Sequence, residues 1–361
     1  MSVGTNDLDP AGSKRLVTLL GSGCASLSLS SQAEKFPSHS FEVVEFTNYP
    51  DPIDHIWGFW SMPWLQESLN LARHRWYKWN IITRNENITL ETKTHPYCAI
   101  HRYKWMDYCK KKSRDSGVRF SFNNSNENSE QVLDSRPPKS VSGSIIQHFI
   151  GQEITSAEEL FDPSTATLMD FRCDQSKGPH FIYVLPFSRT TALVESTIFS
   201  RSMENENFYK SAIRNYMSNL YNCETYNIVR EERGKIPMGE TTPFNPNLTG
   251  IGANGGAIRP SSGYTFNFIQ KQIRQINLDA SFGKPLTVRS PHSSFELSMD
   301  KIFLAVLDSR PELAPNLFVK LAKSLNGDEF ALFLSGEASI TTWVKVIAAM
   351  PKIPFVLEAF K

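Results

Sequence analysis

The residues that most restrict how this chain can fold lie near its start. Arg15-Leu-Val-Thr-Leu-Leu20 is an apolar run of strand length that passes directly into Gly21-Ser22-Gly23-Cys24-Ala25-Ser26. A strand, a tight glycine turn and a helix opening in small residues form the first part of a βαβ unit. Gly21 permits the turn. Gly23 lets a pyrophosphate approach the helix N-terminus, where free N–H groups and the dipole favour an anion. Ser26 stands where a third glycine is usual, and its small side chain still allows close helix–strand packing. Phe41-Glu-Val-Val-Glu-Phe46 is the next apolar run, and Glu45 lies 24 residues after Gly21. An acid near that spacing suits a ribose hydroxyl. Strand, turn, helix and acid together predict a Rossmann-type dinucleotide-binding unit.

At about 150 residues per domain, 361 residues allow roughly two to two and a half domains. The chain does not continue in parallel βα units. Lys78–Phe122 carries short alternating runs such as Asn87-Ile-Thr-Leu-Glu91, which suit an antiparallel sheet. Ser121–Glu130 is an Asn/Ser-rich loop, and Val132-Leu-Asp-Ser-Arg-Pro-Pro138 reads as a strand stopped by two prolines. Further strands are expected in Ser144–Ile154, Thr167–Cys173, His180–Ser188 and Thr191–Ser200, the last two forming a hairpin across Arg189-Thr190. Tyr209, Ile213, Tyr216, Met217 and Leu220 recur at helical spacing. A second glycine-rich stretch spans Gly252–Tyr264, and from Leu297 onward helices are separated by Pro311, Gly327, Gly336 and Pro351. The expected class is α/β (α+β): a Rossmann-type domain interrupted by an antiparallel substrate domain, then a helical tail. That plan matches FAD enzymes of the hydroxylase type by analogy of fold.

Composition narrows the function. Lys plus Arg number 38 against 37 Asp plus Glu, so no basic excess points to nucleic acid. Five cysteines without a CxxC pair, and histidines without ligand spacing, argue for a reducing compartment and no metal. The first ten residues lack an apolar core for a secretory signal, and Leu16–Ala33 is too broken by glycine and serine to span a bilayer. No Gly-x-Ser-x-Gly element is present, which argues against a hydrolase of that type. Aromatic residues make up 12%, enough for a large core or a pocket for a bulky apolar ligand. Trp57, Phe59, Trp60 and Trp64 fit either role. Glu195 shares a strand face with Leu193 and Thr197. A carboxyl among apolar neighbours keeps its proton to higher pH and can act as a general acid, although a solvent-facing glutamate fits the same pattern.

The chain resembles the lycopene cyclase family of flavoproteins, and within it the members that form β rings. The resemblance rests on Val17–Ser30, Asp54–Trp60, Val132–Pro138, Ile145–Ile154, Leu168–Arg172, Phe181–Ser200, Gly234–Gly239, Gly252–Phe266 and the tail Ala348–Phe360, while 78–130 match poorly. It implies FAD, active when reduced, with NAD(P)H as reductant, and an acid-catalysed ring closure of lycopene without net redox. It implies Glu195 as proton donor, with Asp170 a second catalytic candidate beside Arg172. Gly21, Ser22, Gly23, Cys24, Ser26 and Glu45 match the first cofactor-binding stretch, and Gly255, Gly256, Pro260 and Gly263 the second. Gly252-Ala253-Asn254 stands where a Gly-Asp pair for the ribityl chain is common. The corresponding division is 14–77, 131–150 and 245–296 for the FAD-binding domain, 78–130 and 151–244 for the substrate domain, and 297–361 for the helices. An apolar C40 substrate implies a cytoplasmic protein at a membrane face, with Phe318, Lys320, Lys323, Lys352 and Phe355 as its contact. The alternative is a redox flavoenzyme, a reductase or monooxygenase of a prenyl or polyene substrate.

Overall fold

A computed structural model describes residues 14–46, 54–123 and 129–360; the first ten residues, read above for a signal, lie outside them. Arg15–Leu20 and His39–Glu45 are strands joined through the helix Cys24–Ser30, and they pair in parallel. They belong to a five-stranded sheet in the order 249–250, 131–134, 15–20, 39–45, 119–122, with every pairing parallel. Val17, Leu19, Val43 and Leu133 are fully buried, as expected of a sheet covered on both faces. Against the first helix pack Arg102–Asp115 and Phe266–Asp279, where Trp105 Nε1 and Gln270 Nε2 each donate to Ser28 Oγ at 3.0 Å.

Here the structure departs from the expected division. Residues 102–122, assigned by sequence to the β domain, return to the nucleotide-binding sheet: Arg119–Phe122 extends it beside His39–Glu45. Alternation in the intervening strands cannot reveal this, because a period-two pattern does not say which sheet a strand joins.

The second sheet has seven strands in the order 227–237, 146–155, 191–200, 180–186, 165–170, 78–82, 87–91. All its pairings are antiparallel except that between 165–170 and 78–82. The hairpin His180–Pro186/Thr191–Ser200 is present as expected. Period-two alternation gives this sheet two buried faces. Ile182, Val184, Ala192 and Val194 pack under the helix Glu206–Tyr221 through Ile213, Tyr216 and Met217. Asn205 caps that helix by accepting from Phe208 N, and Asn222 ends it in the left-handed conformation. Phe181, Leu185, Leu193 and Phe199 face the other way, into the main core shared with the nucleotide-binding unit.

The tail folds as five helices, 294–309, 314–324, 327–334, 340–349 and 352–359. Ser293/Glu296 and Asn326/Glu329 form capping boxes that satisfy otherwise free amides at two of their starts. Among the described residues no single helix is long and apolar enough to cross a membrane, and no cluster of His, Cys, Asp or Glu could hold a metal.

Candidate functional site

The two glycine stretches, more than 200 residues apart, meet at the first helix. Gly252 has φ +67°, and a Cβ there would stand 2.3 Å from Ala25 Cβ, so only glycine permits this approach. Gln272 holds the turn, its Oε1 accepting from Gly252 N at 2.7 Å and its Nε2 donating to the Gly255 carbonyl at 3.0 Å. Gly21 takes φ +91° at the end of its strand. Gly23 caps the helix in extended conformation, and a Cβ there would meet nothing within 4 Å. The space above the helix N-terminus is therefore open, as is that around Gly256. Ser26 is fully buried and donates to Ser135 Oγ at 2.7 Å, which accounts for a small residue at this position. Glu45 reaches the same strand ends, where Lys110 Nζ donates to it at 2.5 Å. The open space over Gly23 and the convergence of both loops fit a dinucleotide such as FAD. Ser22 lies in the first turn and Pro260 in the second stretch, both partly buried.

From these loops a cavity of about 530 Å³ runs along the seven-stranded sheet, with Trp57, Gly58 and Tyr97 of a small three-stranded sheet (56–60, 97–101, 74–76) also in its wall, to the tail helices. Cys24 and Gly263 line its cofactor end; Phe318, Leu321, Phe330 and Leu334 line the helical end. Its walls are mainly apolar and aromatic, including Trp57, Phe149, Phe181 and Phe199. Trp57 is thus pocket lining, whereas Phe59 and Trp60 are core and Trp64 lies beside a separate hollow. Burial pushes the Cys24 thiol up to about 12, so it is no thiolate at neutral pH.

Glu195 opens into this cavity. It projects from the same face as Leu193 and Phe199, and Thr197 Oγ1 donates to its Oε1 at 2.6 Å. Burial first, and the charge of Glu232 second, push its carboxyl up to about 8, against the Thr197 hydrogen bond. At neutral pH it is a protonated acid in an apolar chamber. Across the strand pairing stands Tyr183, whose hydroxyl donates to Tyr97 at 2.9 Å, and Tyr264 donates to the same oxygen at 3.4 Å. Burial holds all three phenols above their usual range. A Cβ on Gly58 would lie 1.9 Å from the Tyr97 hydroxyl, so this glycine makes room for the cluster.

Asp170 is not brought to the cavity, which corrects its pairing with Glu195 as a second catalytic group. It is opposite Ile182 and so faces the helix Glu206–Tyr221. Fully buried, it accepts from Arg172 Nε at 2.9 Å and Nη2 at 2.6 Å, and from the Tyr216 hydroxyl at 2.8 Å. It ties sheet to helix. We expect Asp170→Asn to lower stability by about 2–4 kcal/mol, because a buried charge-assisted pair is broken while the half-exposed Arg172 keeps part of its hydration. Thermal melting checks this, and the variant's turnover should remain well above that of Glu195→Gln.

Sequence reasoning missed Tyr97, Tyr183, Tyr264 and Glu232. Each sits in an ordinary-looking strand or loop. Arg230-Glu-Glu-Arg233 reads as a solvated charge run, and only the strand pairing shows that alternate members face inward.

Residues 123–359 match the family model described as lycopene cyclase protein. Lycopene beta-cyclase of Pantoea ananas is 24% identical over 229 residues, which make up 58% of this chain and 57% of that protein. Neoxanthin synthase of Solanum tuberosum is 31% identical over 119 residues, 29% of this chain and 23% of that protein. The chain thus covers less than two thirds of either relative. Among solved structures, a tryptophan 5-halogenase superposes with TM-score 0.59 at 12% identity, covering 99% of this chain and 91% of that one. A geranylgeranyl bacteriochlorophyll reductase-like protein from Thermoplasma acidophilum gives 0.55 at 14%, covering 96% and 98%. The flavin-dependent brominase Bmp2 gives 0.58 at 14%, covering 92% and 96%. The fold is that of flavin-dependent enzymes.

Proposed function

The chain belongs to the lycopene cyclase family, and from that membership we propose that it is a lycopene β-cyclase with Glu195 as its acid. The observation that carries the reading is a buried carboxyl at an apolar cavity adjoining the cofactor loops, where burial and Glu232 push it up to about 8. Glu195 gives its proton to the trisubstituted double bond near one end of lycopene, leaving a tertiary cation. The neighbouring double bond attacks that cation and closes a six-membered ring. Return of a ring proton to the Glu195 carboxylate yields the β-ionone end and restores the acid, with no net redox. A second turn at the other end converts γ-carotene to β-carotene.

The chain's own part is to supply the proton and to keep water from the cation. The apolar walls exclude water, and the π faces of Trp57, Tyr183 and Tyr97 can attract the positive charge. Gly21, Ser22, Gly23, Cys24 and Glu45 would hold the adenosine diphosphate part of FAD, and Gly255, Gly256, Pro260 and Gly263 the flavin, while Ser26, fully buried against Ser135, would act only through packing beneath them. FAD, reduced at the expense of NAD(P)H, would supply negative charge near the cation. Expression in a lycopene-accumulating host, followed by chromatography, tests the reading: cyclic carotenes are expected. Unchanged lycopene with flavin-loaded protein present would overturn it. Anaerobic turnover separates the redox alternative, since one NAD(P)H consumed per product would make the enzyme a reductase.

Membrane association forms part of the proposal. Phe318 lines the cavity and Phe355 packs against Phe303, while Lys323 pairs with Glu86, so the contact shifts from the residues expected. The helices 340–349 and 352–359, bent by 109°, instead expose Ile340 at 84% and Ile353 at 72%, with Val344, Val356 and Leu357, and Phe360 just beyond them is 88% exposed. Such a patch fits insertion into an interface. Ile353→Glu with Phe360→Glu should weaken flotation with anionic vesicles by about tenfold or more, given about 1.5–3 kcal/mol per buried apolar side chain. Unchanged flotation would remove these helices from the contact.

A further inference from the structure

Glu195 has a companion across the sheet. Gly151 is in register with Glu195 on one neighbouring strand and with Glu232 on the other. A Cβ on Gly151 would stand 3.2 Å from Glu232 Cγ and 3.3 Å from Glu195 Oε2, so the missing side chain lets two carboxyl groups share one space. Their surroundings differ. Glu232 is buried, and its Oε2 accepts from Arg230 Nη1 at 2.6 Å and from Ile56 N at 3.0 Å. Arg230 is itself fixed by the Asp54 carbonyl at 2.7 Å and by Glu153, which Arg73 grips through two bonds. Glu195 has a hydroxyl, Thr197, but no cation at hydrogen-bond distance among the described residues.

We infer that Glu232 is a positioning residue for the catalytic proton: pinned by Arg230 and the Ile56 amide, its carboxylate makes a second negative charge on the adjacent strand costly, and the proton stays on Glu195. This rests on the reading of Glu195 as the acid. Two carboxyl groups so close do not ionise independently, and the one with a cation beside it loses its proton first. Burial leaves Glu232 above its usual range, and Arg230, the Ile56 amide and His55 hold that rise down. The other groups around Glu195 do not supply a competing anion. Tyr183 lies opposite, with Tyr97 and Tyr264 behind it, all held neutral by burial. His55 bonds the Arg233 carbonyl, Arg233 turns to Glu206 and Glu231, and Lys235 lies along the cavity wall.

Infrared difference spectra of the flavin-loaded protein can follow the protonated carboxyl band against pH, assigned to Glu195 by its loss in Glu195→Gln. In Glu232→Gln the band's midpoint should fall so that the ionisation constant rises about tenfold or more. That variant takes from Arg230 its Glu232 partner and leaves it only Glu153 and the Asp54 carbonyl. Glu232→Gln with Arg230→Met removes both charges, and its midpoint should lie between those of the single variant and the wild type. Thermal melting shows that each variant is folded. An unchanged midpoint in Glu232→Gln overturns the inference. So does a wild-type midpoint in the double variant, which would assign the effect to Arg230 left without Glu232. If the midpoint shifts as expected while Glu195→Gln still cyclises lycopene, the coupling stands and the assignment of the acid fails instead.

Discussion

Glu195→Gln is expected to fold, bind flavin and lycopene, and cyclise about 10²–10⁴-fold more slowly than the wild type, the usual loss when a general acid is removed. Glutamine keeps the shape and can still accept from Thr197 Oγ1, so packing of the sheet is preserved. What disappears is the transferable proton. The pH dependence carries the same signature. The acid must be protonated to act, and burial pushes it up to about 8. The wild-type rate should hold below that value and fall as pH rises through it, about tenfold per unit beyond. The residual activity of Glu195→Gln should lack this alkaline limb. A glutamine variant with near wild-type turnover, measured by carotenoid chromatography at pH 7, would remove Glu195 from the mechanism.

Gly23→Val should abolish flavin binding while leaving the fold intact. A Cβ at Gly23 meets no protein atom within 4 Å, and the residue's φ of −79° with ψ of −177° is ordinary for valine. The protein therefore loses only the worth of a better N-cap, about 1 kcal/mol. A ligand phosphate at the helix N-terminus, by contrast, would meet the isopropyl group. Gly252→Ala makes the control. There the new methyl collides with Ala25 and must adopt a positive φ, so stability falls as well. Flavin absorbance after desalting, read beside thermal melting, separates the two effects. A Gly23→Val protein that keeps its full flavin absorbance would refute the cofactor assignment.

The nucleotide-binding unit was legible because each of its requirements is local. A strand, a turn with positive φ at Gly21 and a helix with small residues follow one another in sequence, and Glu45 lies on the next strand. The hairpin bearing Glu195 was legible for a similar reason: alternation places Leu193, Glu195 and Thr197 on one face wherever the strand lies. Periodicity says which residues share a face, but not what that face meets. Asp170 and Glu195 both lie on strands of one sheet, yet the tertiary structure turns one to Tyr216 and the other to the cavity. The return of 102–122 to the parallel sheet, the phenol cluster and the placement of Glu232 beside Glu195 depend on pairings between distant segments. Gly151 shows the limit most plainly. Its sequence context is that of any strand glycine, and only the packed sheet reveals the two carboxyl groups that its missing side chain leaves room for.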